Sequence, residues 1–317
     1  MAGFLESLFL ALTVIFFILG MLGNGFIGLV NGSRWVKSKR ISLSDFIITA
    51  LTLSRVILLW ILLADSTLIV FFYRVHNDGM GMKIIDISWT FINHLSIWLV
   101  TSLSVLYCLK IASFSHPMFL WLKWRVSRVV VWMLLGALLL SCGSTMSLVR
   151  EFEFYSLFYG FNGTEDPAEH LRKKTDYEVT HTLGILWDLF PFIVSLASNT
   201  LLILSLRRHT RQMQQNGSCS RDTTTEAHQR AIRIILSYLL LFLFYYLAFL
   251  ITYCSRFLPE TKMIKMFGEA VTLLYPAGHS FILIMGNKKL KQMFVQILRC
   301  QPGHLKPGPK GTVDSLK

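Results

Sequence analysis

Apolar residues fall into seven long runs, near Leu8–Val30, Leu43–Ser66, Ile84–Leu109, Val129–Val149, Thr182–Leu206, Ala231–Cys254 and Met266–Met285. Each is close to the roughly 20 residues that a helix rising 1.5 Å per residue needs to cross a bilayer. Polar gaps between them are short except Arg150–His181, which is long, mixed in charge and too small for a separate soluble domain. No internal repeat or low-complexity segment interrupts the pattern. The third run shows the change of medium most sharply. From Trp98 it continues as an apolar helix and at Lys110 turns into a basic, aromatic segment reaching Arg125. Pro117 predicts a break there, and Trp121 and Trp124 suit a headgroup boundary. After the seventh run, Lys288–Leu298 places Leu290, Phe294, Ile297 and Leu298 against Lys288, Lys289 and Lys291, which predicts a short amphipathic helix on the inner leaflet. The expected organisation is an all-α seven-helix bundle over 1–285, a juxtamembrane helix over 286–300 and a disordered tail over 301–317.

Composition agrees with that pattern: 53% of the 317 residues are hydrophobic and 15% charged, with a mean hydropathy of +0.53. A membrane protein is the class this implies. The net charge of +13 raises nucleic acid as a partner, but the basic residues sit in gaps between apolar runs, where anionic membrane lipids attract them. Nucleic-acid binding is excluded on that ground.

Basic residues also orient the chain. Lys and Arg number 21 in the gaps Asn31–Ser42, Lys110–Arg128 and Arg207–Arg233 and in the tail, against 9 in the alternate gaps, with Arg55 inside a helix. The positive-inside rule then places the N-terminus outside and the C-terminus in the cytoplasm. The first run lacks a basic leader and a cleavage site and is expected to remain as a helix. Of three Asn-x-Ser/Thr sequons, those at Asn31 and Asn216 fall on the cytoplasmic side, so Asn162 in the long outer loop is the expected glycan acceptor. The five cysteines are scattered and define no disulfide framework. Cys300, just past the amphipathic helix, is a candidate for lipidation as much as an inert thiol.

Short motifs stand within the runs and at their ends. They are Gly23-Asn24-Gly25-Phe26-Ile27 with Val30-Asn31, Leu43-Ser44-Asp45, and Leu53-Ser54-Arg55. Further along come Leu103-Ser104, Tyr107, Lys110-Ile111-Ala112-Ser113-Phe114-Ser115, Ser205-Leu206-Arg207-Arg208-His209, and His279-Ser280-Phe281-Ile282-Leu283-Ile284. In this order and spacing, from Asn24 to Lys291, the set resembles the bitter taste receptors, the type 2 taste receptor family. The rhodopsin-like signatures are absent: Tyr107-Cys108-Leu109-Lys110 stands in place of Asp-Arg-Tyr, and His279-Ser280 in place of Asn-Pro-x-x-Tyr. Val100 and Tyr238 depart mildly from the family's usual alanine and phenylalanine. The resemblance implies a G-protein-coupled receptor for small, mostly apolar bitter compounds, acting through a heterotrimeric G protein of the gustducin type, with no cofactor.

Arg55 is the most costly residue in the chain, a guanidinium near mid-membrane that must face the bundle interior. Asn24 and Ser280, at similar depth on the first and seventh helices, are its expected partners, as interhelical glue or as a switch. Trp89 and Asn93 lie four residues apart, on one face of the third helix. A flat indole and an amide suit a pocket for varied apolar ligands carrying a few polar groups. Both match ligand-contact positions of the family. Glu269, near the outer end of the seventh helix, reads either as a carboxylate exposed to headgroups or paired with Lys265, or as a counter-ion for cationic ligands. Tyr245 belongs to the same layer, with Tyr246 beside it as the alternative inward residue. Asp188, three residues before Pro191, is the other intramembrane acid, so that Arg55 and Asp188 are the clearly buried charges expected. Pro191 and Pro276 either kink their helices or are tolerated. His209, Arg211, His228 and the basic residues of Lys110–Arg128 line the cytoplasmic mouth.

Other classes fit less well. A channel or transporter predicts repeats or rings of ionisable residues. A membrane enzyme predicts a His-Glu-x-x-His or Gly-x-Ser-x-Gly motif, and neither occurs.

Overall fold

A computed structural model of the chain describes residues 2–39, 41–72, 80–159, 179, 189–215, 223–254 and 261–299. Among these residues it contains helices and no strand: α1 (Ala2–Ser38), α2 (Leu43–Phe71), α3 (Met80–Ile111), α4 (Pro117–Trp124), α5 (Val126–Tyr159), α6 (Leu189–Gln215), α7 (Thr223–Cys254), α8 (Thr261–Gly286) and α9 (Lys288–Arg299). Seven of them (α1, α2, α3, α5, α6, α7 and α8) are long and apolar enough to cross a membrane. Most run past the apolar stretches that announced them. α5, for example, continues from Val149 to Tyr159 through a segment expected to be loop. Apolar length reports the thickness of hydrocarbon, whereas a helix, once nucleated, continues until a breaker stops it.

α1 packs on α2 and α8, α2 on α3 and α8, α3 on α5 and α6, α6 on α7, and α7 on α8. α3 is the axis: 78% of its most apolar stretch is buried, against 17% for α5 at the periphery. The interior holds Ile27, Ile47, Leu51, Leu106, Phe242, Tyr245 and Ile284, while Leu29, Trp60, Leu139, Leu240 and Phe244 point outward and are exposed. Apolar faces of that extent require lipid around them.

Polar contacts shape the cytoplasmic turns. Ser42 Oγ accepts the Asp45 N–H at 3.1 Å and caps α2. After α3 the chain breaks at Ala112–His116, as Pro117 predicts, and Pro117 opens α4 from an extended His116. The break is pinned by Ser113 N–H on Ser205 Oγ (2.9 Å) and Lys123 Nζ on Ala112 O (2.8 Å). Trp121 and Trp124 are exposed. Asn287 Oδ1 caps α9, accepting from Lys289 N and Leu290 N at 3.0 and 3.3 Å. α9 does more than rest on a leaflet. Leu290 is buried in the main core, Phe294 packs edge-on to Phe26 of α1 at 5.4 Å, and Ile297 remains exposed.

Candidate functional site

Asn93 on α3 is buried, and its Oδ1 accepts the Tyr245 hydroxyl of α7 at 2.5 Å. One turn outward, Trp89 stacks on Phe249 of α7, with ring centroids 5.4 Å apart and 26° between planes. Tyr245 in turn stacks on Tyr275 of α8 at 4.6 Å. Trp89, Asn93 and Tyr245 are therefore brought together, with Phe249 and Tyr275 completing an aromatic frame. Phe249 lies one helical turn beyond Tyr245, a spacing that the sequence offers. Tyr246 is also buried but faces the other way, stacked on Phe192 of α6 at 4.6 Å.

Glu269 does not sit among headgroups. It is only 9% exposed, and its Oε1 accepts Ser66 Oγ of α2 at 3.3 Å. Asp65 of α2 and Asp86 of α3 lie beside it. The expectation that Arg55 and Asp188 are the clearly buried charges is corrected accordingly: Glu269 and Asp86 are buried too. The side chains joined here are supplied by three helices, which no spacing within a single run reveals. Outward of this layer Lys262 Nζ and Glu6 Oε1 meet at 2.5 Å, holding α8 to α1.

Arg55 is fully buried, with its guanidinium carbon 5.0 Å from the centroid of the Tyr275 ring. A cation over an aromatic face is attracted by the ring quadrupole. The expected partners are engaged elsewhere. Asn24 Nδ2 donates to Gly20 O (2.8 Å) and to Pro276 O of α8 (3.1 Å), and Ser280 Oγ donates to Ala277 O (2.7 Å). Among the described residues none of the three guanidinium nitrogens has a hydrogen-bond partner. Asn24 thus joins α1 to α8 while Ser280 bonds within α8, and both spend their donors on backbone carbonyls, leaving Arg55 to the aromatic side. That side continues through His279, stacked on Tyr275 at 5.9 Å, to Tyr238 of α7, 4.9 Å from His279.

Tyr238 links this cluster to the far side of the bundle. Its hydroxyl is 3.1 Å from Ser195 Oγ of α6, which is 3.4 Å from Ser104 Oγ of α3. The hydroxyl that distinguishes Tyr238 from phenylalanine is therefore in use. Thr101 Oγ1 donates to Pro191 O at 3.0 Å, so Pro191 sits in the first described turn of α6 as an acceptor site. On the other flank, His94 Nδ1 is 2.8 Å from Ser141 Oγ, and Trp98 Nε1–H donates to His94 Nε2 at 3.3 Å, fastening α5 to α3. Tyr275 and His94 carry no motif of their own, and only the packing distinguishes them. At the cytoplasmic mouth His209 and His228 lie 5.1 Å apart. Asn162, Asp188, Cys300 and the tail 301–317 lie outside the described residues.

Seven membrane-crossing helices with basic cytoplasmic turns, an outer aromatic-polar layer and a buried coupled core are the build of a G-protein-coupled receptor. The family model for "Taste receptor protein (TAS2R)" matches residues 1–302. The chain is 66% identical to the human taste receptor type 2 member 3 over 316 residues, covering 99% of this chain and 100% of the relative. Against the mouse taste receptor type 2 member 3 it is 57% identical over 312 residues, 98% of this chain and 99% of the relative. The chain belongs to the type 2 taste receptor family, the bitter taste receptors. It is a multi-pass plasma-membrane receptor for small molecules that signals through a G protein, and it is not an enzyme.

Proposed function

We propose that this receptor binds small, mostly apolar bitter compounds in the outer layer framed by Trp89, Asn93 and Tyr245, and activates a G protein of the gustducin type. The observation that carries the reading is the Tyr245–Asn93 hydrogen bond under the Trp89–Phe249 stack. An aromatic wall with one amide and one phenol at its floor is selective for shape and tolerant in chemistry. Glu269, with Asp65 and Asp86 beside it, lines the rim with carboxyl oxygens, which favours cationic ligands over anionic ones. Asp188 belongs to the same proposal through its place near the outer end of the fifth span. Ligand bound across α3 and α7 shifts the population of arrangements in which the Tyr275–His279–Tyr238 stack sets the α7 position.

The test is intracellular calcium in cells expressing the receptor with a G protein carrying a gustducin-type C-terminus, challenged with a panel of bitter compounds. Trp89→Ala is expected to abolish responses, and Tyr245→Phe to lower potency for agonists that replace the Asn93 bond. Glu269→Gln is expected to weaken cationic agonists roughly tenfold, the equivalent of ~1.4 kcal/mol, and neutral ones little. Responses unchanged in all three variants at equal surface expression sink the pocket assignment. A response that persists with a G protein lacking that C-terminus sinks the gustducin-type coupling.

A further inference from the structure

Between the cytoplasmic ends of α6 and α7 lies a cleft of about 580 Å³, lined by Arg207, Thr210, Arg211, Gln229, Ile232 and Arg233. Three guanidinium groups from two helices border it, and among the described residues no carboxylate does. Its place on the bundle is read from register. Arg207 and Arg211 lie three and seven residues after Leu204, so they share its helix face, and Arg233 lies three and seven before Leu236 and Leu240. Leu204, Leu236 and Leu240 are all exposed to the membrane. The cleft is thus the cytoplasmic continuation of a lipid-facing groove. Ile232 forms the cleft's inner wall and, with Leu206 and Ile235 on the inward side of the same two helices, packs with Cys108 of α3.

We propose that this cleft binds the phosphorylated headgroup of an inner-leaflet phosphoinositide. Its acyl chains lie along Leu204, Leu236 and Leu240, and its phosphates are held by Arg207, Arg211 and Arg233. Planar guanidinium forks pair with phosphate oxygens two at a time, and basic pockets between helices on the cytoplasmic side suit such headgroups. A phosphate gripped from both helices also ties their ends together.

The test uses the full-length receptor in nanodiscs of phosphatidylcholine containing a minor fraction of fluorescent phosphatidylinositol bisphosphate or of phosphatidylserine. The bisphosphate lipid should be retained in preference to phosphatidylserine. The Arg207→Gln/Arg211→Gln/Arg233→Gln variant should lose retention on the order of a hundredfold. The triple Arg→Lys variant, which keeps charge and fold, should lose less. Lys288→Gln/Lys289→Gln/Lys291→Gln should stay within about twofold of the parent, because α9 lies elsewhere on the membrane surface. Equal retention of phosphatidylserine, or equal loss in the α9 variant, overturns a specific site in favour of diffuse surface charge. Free inositol trisphosphate binding as tightly as the lipid overturns the acyl groove. Unaltered lipid retention with lost G-protein binding in the arginine variant reassigns the cleft to the G protein and overturns the proposal.

Discussion

Arg55 concentrates the chemistry of single residues in this bundle. A charge at mid-membrane has to be repaid locally, yet the guanidinium meets an aromatic face and not the amide and hydroxyl that its depth suggested. Replacing a whole buried ion pair with well-packed hydrophobes is often neutral, or stabilising by up to about 4 kcal/mol, and Arg55 leaves no ion-pair partner behind among the described residues. Arg55→Met is therefore expected to leave the thermal midpoint of the purified receptor unchanged or raised, while agonist-evoked signalling falls. A large drop in midpoint would show that Arg55 is structural glue and nothing more. Arg55, Trp89, Asn93 and Tyr245 were legible in the sequence because an Arg in hydrocarbon, or an indole one turn from an amide, stands out by type alone. Glu269 was legible as a residue but not in its setting. Ser66, Asp65 and Asp86 come from helices whose rotation its own neighbours do not encode.

Among the elements, the α1–α8 seam is governed by closeness. A Cβ placed on Gly23 would collide with Ser280 Oγ, and one on Gly20 would lie 2.7 Å from Leu59 Cδ1 of α2. Small residues at such crossings let helices approach where lipid offers no hydrophobic drive. Gly23→Ala is expected to cost about 1–3 kcal/mol by overpacking, read as reduced surface expression and a lower thermal midpoint. Ser280→Gly in the same chain should restore part of both, and failure to do so would place the defect elsewhere. The glycine-asparagine motif thus reads as packing for Gly23 and as hydrogen bonding for Asn24. Element ends were the least legible feature. α1, α5, α6 and α7 all outrun their apolar runs, because polar residues outside the hydrocarbon remain competent to be helical. The break before Pro117, which has a local chemical cause, and the start of α2 at Leu43 fell where the sequence places them.

For the whole molecule, orientation follows from charge. An epitope at the N-terminus should stain intact cells, whereas one at the C-terminus should stain only after permeabilisation. Asn162→Gln should remove the glycan shift seen on electrophoresis, and a glycan persisting in that variant would move the acceptor to another asparagine. The residue pattern by itself determined the number of spans, their order and direction, and the family. It could do so because lipid and protein interior impose their demands locally, on every turn of every helix. Which side chains meet was decided by the tertiary structure alone. Tyr245 reaches Asn93 across 152 residues of chain, and the partners of Arg55 and Glu269 likewise come from other helices. Such pairings depend on the depth and rotation of helices packed simultaneously, a property of the assembled bundle that no single stretch of chain contains.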